Sequence, residues 1–399
     1  MITQNQSSHL LPTYKRQPIS FVKGQGSYLY TADGTQYLDA LTGIAVCGLG
    51  HCHPRISQAI AEQATTLIHT SNLYIIDWQE TAGTKLCQMA GMDKVFFANS
   101  GAEANEAALK MARLYASKRG QSQAKVIVME NSFHGRTLLT VSATANPTAR
   151  AGFFTLDDDF VRVPFGDIEA IKQAISDNSE VCAVMLEPIQ GESGVNTAAN
   201  GFEFLNQVRA VCDEHDLLMI LDEVQTGNAR TGKYFAYQYT GIKPDILTTA
   251  KGLGNGFPVG ACMTSGKANG IFGYGSHGST YGGTPLACRV VSEVMDVIND
   301  ENILETVNQN SALLSQLLLN DLADDGVTIR GKGMMLGLVL PTDRNIDFGT
   351  LVDKARDEQH LLINVAGGNA IRLLPPLNMN QDEVQDMAKR LITLVKTVL

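Results

Sequence analysis

What the 399-residue chain lacks narrows its class first. It has no run of about 18 apolar residues, so no membrane-spanning helix is predicted. Basic residues are in deficit: 31 Lys and Arg against 41 Asp and Glu give a formal net charge of −10. A nucleic-acid binder needs a basic footprint, and the balance argues against one, although local positive pockets for small anions stay open. The seven cysteines are odd in number and scattered without pairing logic, which points to reduced thiols in a cytoplasmic setting. The stretch Met1 to Tyr14 has neither the apolar core of a secretory signal nor the arginine-rich pattern of a transit peptide. His51-Cys52-His53 has the look of a metal cluster, but it ends at Pro54 and no second ligand cluster follows at finger-like spacing, so no metal is expected. There is no internal repeat and no low-complexity tract.

What is present is an ordinary globular composition, 44% hydrophobic and 18% charged, long enough for two or three packed units. Apolar strand-like runs (Val95–Phe97, Lys125–Met129, Ala183–Leu186, Leu217–Leu221) alternate with helical periodicity over about 102–118 and 202–215. Continuous apolar runs bounded by helices predict an α/β fold with a mostly parallel sheet covered on both faces. After about residue 290 the texture changes to long helices, 304–322 and 381–398, and short strands at 337–340 and 370–373, an α+β arrangement. Asn380 and Glu383 suit a cap for the last helix. Tyr28–Thr31 and Gln36–Leu38, joined through Asp33-Gly34, predict a hairpin. The expected division is 1–55 as the N-terminal segment of a small domain, 56–290 as the large domain and 291–399 as the C-terminal small domain.

Polar signals collect at the strand ends, where open parallel sheets bind ligands. Lys251 stands between the apolar lead-in Ile246-Leu247 and a glycine-rich loop. Losing hydration there would lower its pKa and free an amine able to form a Schiff base; a solvated surface lysine is the alternative. Asn99-Ser100-Gly101-Ala102-Glu103 opens a helix after one strand. It is either a plain cap or a phosphate seat made of exposed amides and the helix dipole. Phe133 and Arg136 follow the next strand, an aromatic to lie on a planar ring and a guanidinium to grip a carboxylate, or else a core Phe and a surface Arg. Asp222 closes another strand; it could cap a helix, hold a metal, or keep a ring nitrogen protonated, and Lys251 one strand later favours the last. Gly227 to Tyr234 comes close to a phosphate-binding loop and raises a P-loop-like nucleotidase. Tyr234 stands where a Ser or Thr hydroxyl should hold Mg²⁺, and the two nucleotide motifs would be contiguous and reversed.

These residues resemble class III, fold-type I, pyridoxal-phosphate-dependent aminotransferases. The motifs are Gly50-His51-Cys52-His53-Pro54, Ser100 to Glu106, Ser132 to Thr137, Glu187-Pro188-Ile189-Gln190-Gly191-Glu192, Leu221 to Gly227 and Gly278 to Gly283, in that order with Lys251 in place. The resemblance implies a large domain with a mostly parallel sheet and a smaller α+β domain built from the two termini. It implies that Lys251 carries pyridoxal 5′-phosphate and shuttles the proton, that Asp222 pairs with the pyridine nitrogen, and that Gln225 bonds the ring hydroxyl. Gly101 and Ala102 would hold the phosphate, Phe133 would stack on the ring, and Thr280 would reach the phosphate of the neighbouring subunit of a homodimer with shared sites. Arg136, with Ser279 nearby, would bind the substrate carboxylate. Arg372 would bind the α-carboxylate of glutamate or 2-oxoglutarate, and Glu192 would cover Arg372 while the other donor is bound.

The implied reaction moves a terminal amino group to 2-oxoglutarate in two alternating halves; a mutase or decarboxylase on the same fold is the rival chemistry. Related ornithine enzymes carry a tyrosine upstream of the Gly-His-Cys-His-Pro motif to meet a free α-amine. This chain has Ile44 there, which suits an acylated donor. That favours N-acetylornithine, a step of arginine biosynthesis. N-Succinylornithine, N-succinyl-diaminopimelate, ornithine and 4-aminobutyrate stay open, since apolar pockets discriminate poorly among acyl groups.

Overall fold

The computed structural model describes residues 9–399, so the part of the polar stretch Met1–Tyr14 up to residue 8 lies outside the described residues. The first sheet begins with β1 (Lys23–Gln25), β2 (Tyr28–Tyr30) and β3 (Gln36–Asp39). The central sheet is made of β4 (Lys94–Ala98), β5 (Lys125–Met129), β6 (Phe160–Val163), β7 (Val181–Leu186), β8 (Leu218–Asp222), β9 (Ile246–Thr249) and β10 (Gly260–Thr264). β11 (Thr328–Lys332), β12 (Met335–Val339), β13 (Leu361–Leu362), β14 (Asn364–Ala366) and β15 (Ala370–Leu373) follow.

The central order is β4-β10-β9-β8-β7-β5-β6. Neighbours from β9 to β6 pair in parallel, while β10 runs antiparallel to both β4 and β9. The fold is therefore α/β with a mostly parallel sheet. The exception has a simple cause: the link from Thr249 to Gly260 is shorter than the dozen or so residues a parallel crossover requires, so the chain must return antiparallel. β7, β8, β9 and β10 are buried at every position, as expected for strands covered on both faces.

The helix Gly101–Lys118 lies on this sheet through Ala104, Ala107, Ala108, Ala112 and Ala116, all buried. Small side chains let its axis come close to the strands. Ser100 Oγ accepts from Glu103 N at 3.2 Å, while Glu103 Oε2 reaches back one residue further than a capping box requires, to Asn99 N at 2.5 Å.

The two ends of the chain share a sheet. β2 and β3 form the expected hairpin, with Tyr28 opposite Leu38, and β13 adds to β3 in parallel at Leu361 opposite Leu38. β11, β12, β15 and β14 form a separate antiparallel sheet. The helices Ile303–Leu322 and Gln381–Lys396 pack together beside them.

Between β3 and the large sheet the backbone makes a left-handed turn. Thr42, Gly43, Ile44 and Ala45 have φ of 51°, 65°, 66° and 63°. Such geometry costs a non-glycine residue about 1–2 kcal/mol. Asp39 Oδ1 accepts from Leu41 N at 2.9 Å and Thr42 N at 2.8 Å, and Thr42 Oγ1 donates to Leu374 O at 2.6 Å. The other Asp39 oxygen meets His51 Nε2 at 2.8 Å, while His53 Nε2 lies 3.2 Å from Glu301. The two histidines of the His-Cys-His triplet therefore serve different carboxylates.

The cap on the last helix is reciprocal: Asn380 Oδ1 accepts from Glu383 N at 2.9 Å and Glu383 Oε2 accepts from Asn380 N at 3.0 Å. Asn380→Ala should lower stability by about 1 kcal/mol. The check is the midpoint of chemical denaturation, which an unimportant cap would leave unmoved.

Candidate active site

A cavity of about 430 Å³ opens beyond the carboxyl ends of β4, β5, β7, β8 and β9. Its wall contains Asn99 to Ala102 after β4, Phe133 to Arg136 after β5, Glu187 after β7, Asp222, Val224 and Gln225 at β8, and Ala250 and Lys251 after β9. The volume falls within the usual range for small-molecule sites.

Asp222 is the best-held group in it. Its side chain is almost fully buried. Oδ2 accepts from Asn105 Nδ2 at 2.7 Å and lies 2.8 Å from His134 Nδ1, and Oδ1 accepts from Val224 N at 3.0 Å. Asn105 is fixed in turn, donating also to His134 O at 2.7 Å and accepting from Thr248 Oγ1 at 2.6 Å. Strand alternation sends Glu223 to the opposite side, where it accepts from Thr226 Oγ1 at 2.9 Å, Ala236 N at 2.6 Å and Tyr237 N at 2.8 Å. A second acid, Glu187, is buried in the cavity wall and accepts from Phe133 N at 3.1 Å. Burial raises its pKa well above the usual carboxylate range, with Asp222 adding to the rise and His134 opposing it.

Lys251 opens a short helical turn, Lys251–Leu253, at a left-handed φ of 48°. Asn228 Nδ2 secures the strand end before it, donating to Thr249 Oγ1 at 2.9 Å and Ala250 O at 3.0 Å. Burial lowers the pKa of Lys251 against the pull of Glu192, Asp222 and Glu187. That shift brings the amine closer to its neutral, nucleophilic form.

Gly101 and Ala102 are the first helical residues after the cap, so their amides have no acceptor within the helix. A Cβ on Gly101 would come within 2.7 Å of Val224 Cγ1, so the glycine is what allows the helix start and the strand end to approach. Phe133 is half-buried, and the exposed Arg136 places its guanidinium 5.4 Å from that ring.

Arg372 and Glu192 meet, with Nη1 to Oε1 at 2.7 Å. Arg372 is 1% exposed and Glu192 35%. Nη1 also reaches Gly191 O at 3.1 Å and Gln225 Oε1 at 3.3 Å, and Nε reaches Asn364 Oδ1 at 3.2 Å. Burial would raise Glu192; the guanidinium outweighs it and holds the carboxyl below its ordinary value. Gln225 thus ties this pair to the main cavity.

Three segments weighed from the sequence lie outside the first cavity within one chain. Ser279 lines a separate cavity of about 840 Å³, and Thr280 is exposed; neither lines the first cavity within one chain. Ile44 does not line it either. It packs at the edge of a cluster of Ala45, Ile189, Val195, Met335 and Leu374, whereas Val46 faces the cavity. The Gly227–Tyr234 segment does not lead into a long helix: a turn, Ala236–Tyr239, follows, and Arg230 and Tyr234 are buried.

Asn105, His134, Glu187 and Val224 were not singled out from the sequence. The available signal was Asn105 itself, an amide on the buried, alanine-rich face of a helix, where it needs a partner.

A family model described as Aminotransferase class-III matches residues 11–395. The acetylornithine aminotransferase of Nitrosomonas europaea is 45% identical, covering 97% of this chain and 98% of that one. The acetylornithine/succinyldiaminopimelate aminotransferase of Yersinia pestis is 42% identical over 98% of this chain and 96% of the relative. A solved ornithine aminotransferase from Toxoplasma gondii, with PLP at partial occupancy in its active site, aligns with a TM-score of 0.92 at 32% identity, covering 98% of this chain and 92% of that one.

The donor set suits pyridoxal phosphate. A helix start with open amides fits a phosphate, a buried carboxylate fits a protonated ring nitrogen, and an amine of lowered pKa fits an aldehyde. Lys251→Ala should abolish turnover while the cofactor still binds. Mass spectrometry after borohydride should find the coenzyme fixed to the wild-type chain and not to the variant; retained turnover would refute the role of Lys251.

Proposed function

The chain belongs to the class-III aminotransferases, and on that footing we propose that it transfers the terminal amino group of N-acetylornithine to 2-oxoglutarate. The products are N-acetylglutamate semialdehyde and glutamate, a step of arginine biosynthesis. The observation that carries the two-substrate reading is the Arg372–Glu192 pair at 2.7 Å. One site must take a donor whose reacting amine is at the chain end and then an acid that brings an additional carboxylate. A glutamate that covers the arginine in one half-reaction and releases it in the other meets both needs.

Pyridoxal phosphate supplies an aldehyde that takes up amino groups and a ring that spreads charge left on carbon. The chain's own residues do the rest. Lys251 Nζ would anchor the coenzyme and, as a free amine, would carry the proton of the carbon bearing the transferred nitrogen. Asp222, with His134 and Asn105 behind it, would keep a proton on the ring nitrogen. Gln225 would bond the ring hydroxyl, Phe133 would lie against the ring face, and Gly101 and Ala102 would hold the phosphate. Arg136 would take the donor's carboxylate at the rim, with Ser279 of the partner subunit nearby in a homodimer. Arg372 takes the α-carboxylate of 2-oxoglutarate.

A subunit partner explains the placement of Ser279 and Thr280. Asn72 Nδ2 donates to Ser279 O at 3.0 Å, and the next three residues, Leu73, Tyr74 and Ile75, are 88%, 70% and 85% exposed. Consecutive exposed apolar side chains mark an interaction surface. We read it as the contact of a homodimer in which Thr280 reaches the partner's phosphate site. The same reading divides the chain at residues 55 and 290. No helix among the described residues is long and apolar enough to cross a membrane, and all seven cysteines are unpaired, which supports a cytoplasmic setting.

A donor range that includes N-succinyl-diaminopimelate is the second reading, favoured by the double name of the Yersinia relative. The test is kcat/KM for N-acetylornithine, N-succinylornithine, N-succinyl-diaminopimelate, ornithine and 4-aminobutyrate with 2-oxoglutarate. N-Acetylornithine should lead with parallel double-reciprocal lines; ornithine or 4-aminobutyrate in first place overturns the assignment. Ile75→Glu should turn the dimer into monomers on size-exclusion chromatography and weaken coenzyme retention, and an unchanged elution volume would count against this surface.

A further inference from the structure

Arg230 takes no part in the chemistry above, yet it is among the largest fully buried side chains of the described residues. Burial pushes its pKa down to about 9, and no carboxylate offsets the loss of hydration. It is still a cation at neutral pH. Its Nη1 donates to two backbone carbonyls, Met334 O at 3.0 Å and Pro375 O at 2.5 Å. Its own carbonyl accepts from Met334 N at 3.0 Å. Its Nη2 has no partner and faces Gly48, whose added Cβ would stand 3.8 Å away. A buried cation held by carbonyls alone is an expensive way to join two segments. Its position suggests what the join accomplishes.

Pro375 lies three residues beyond Arg372, and the intervening strand end is fixed from several directions. Leu374 N donates to Ala40 O at 2.7 Å, Leu374 O accepts from Thr42, and Leu377 N donates to Gly48 O at 2.7 Å. Met334 lies in the link between β11 and β12, and β12 pairs with β15 so that Gly337 faces Arg372. The approach leaves no slack: a Cβ on Gly333 would meet the backbone of Thr231 at 2.3 Å. On the other side of Arg230, two residues back, Asn228 holds Thr249 and Ala250 directly before Lys251. Segment 228–230 thus touches the lysine's strand with one side chain and the arginine's strand with another.

We propose that Arg230 is a positioning residue that sets where Arg372 stands relative to Lys251, and through it the grip on the dicarboxylate substrate. The inference rests on the aminotransferase reading above. Met334 O and Pro375 O belong to different loops, and one nitrogen, Nη1, reaches both while the rigid guanidinium plane fixes its direction, which the flexible stem of a lysine ammonium does not reproduce. Displacing a substrate group by about 1 Å can cost about a hundredfold. The amino-donor half-reaction does not use Arg372 and should be spared.

The test compares holoenzymes of wild type, Arg230→Met, Arg230→Lys and Arg372→Ala. It measures the single-turnover rate with N-acetylornithine, KM for 2-oxoglutarate, and calorimetric affinity for glutarate as a non-reacting dicarboxylate. Arg230→Met should raise KM for 2-oxoglutarate and the Kd of glutarate together by about ten- to a hundredfold, approaching Arg372→Ala, with the donor half-reaction within about threefold of wild type. Arg230→Lys should fall between. Equal losses in both half-reactions, or wild-type glutarate affinity in the folded Lys variant, would overturn the proposal, and the Lys variant decides if the Met variant does not fold. A wild-type protein that transfers nothing to 2-oxoglutarate would instead sink the functional reading, which the glutarate titration keeps separate.

Discussion

A carboxylate removed from water must have every oxygen engaged, and Asp222 meets that demand by drawing four parts of the chain together. Asn105 comes from the helix after β4, His134 from the loop after β5, Val224 from its own strand end, and Thr248 from β9 through the amide of Asn105. The same segments carry Gly101 and Ala102, Phe133 and Arg136, Gln225 and Lys251. Satisfying one acid therefore sets the register of the whole cavity wall. A missing partner would leave an uncompensated buried charge, and the ligand groups mounted on that segment would shift with it.

The second charge centre is built differently. Arg372 is sealed in, whereas Glu192 is about a third exposed. An exchange of partners at this pair is therefore a movement of the glutamate, with the guanidinium as the stationary half. Asn364 and the carbonyl of Gly191 keep the guanidinium oriented when the carboxylate leaves. Gln225, which touches Arg372 and lines the cavity, connects the two centres.

Much of this was legible in the sequence because buried strands announce themselves as apolar runs, and in the central sheet polar residues and then a glycine follow several of them. Lys125–Met129 and Ala370–Leu373 coincide with β5 and β15, and Asp222 falls on the last residue of β8. β10 escaped notice because its direction is dictated by the length of the preceding link and leaves no trace in its own residue types. Asn105 and Glu187 escaped because a polar residue earns its place from distant partners, here Asp222 and the amide of Phe133, and separation along the chain hides them. The meeting of Arg372 with Glu192 joins residues 180 positions apart; the family resemblance implied it, and no spacing along the chain shows it. The left-handed turn at Thr42–Ala45 ran against local preference, since two of its members are β-branched, and it depends on Asp39 and Leu374 to persist.

That turn carries Ile44, where the family resemblance places donor choice, and within one chain its side chain packs beside the cavity wall, with Val46 as its nearest neighbour in sequence on the lining. Backbone of inverted hand tolerates glycine and asparagine best and β-branched side chains worst. A library of replacements there would be sieved by handedness before any amine was tried, with survivors enriched in types that relax the loop. Exchange at this position would then follow a narrow corridor, set by which residue types the turn accepts.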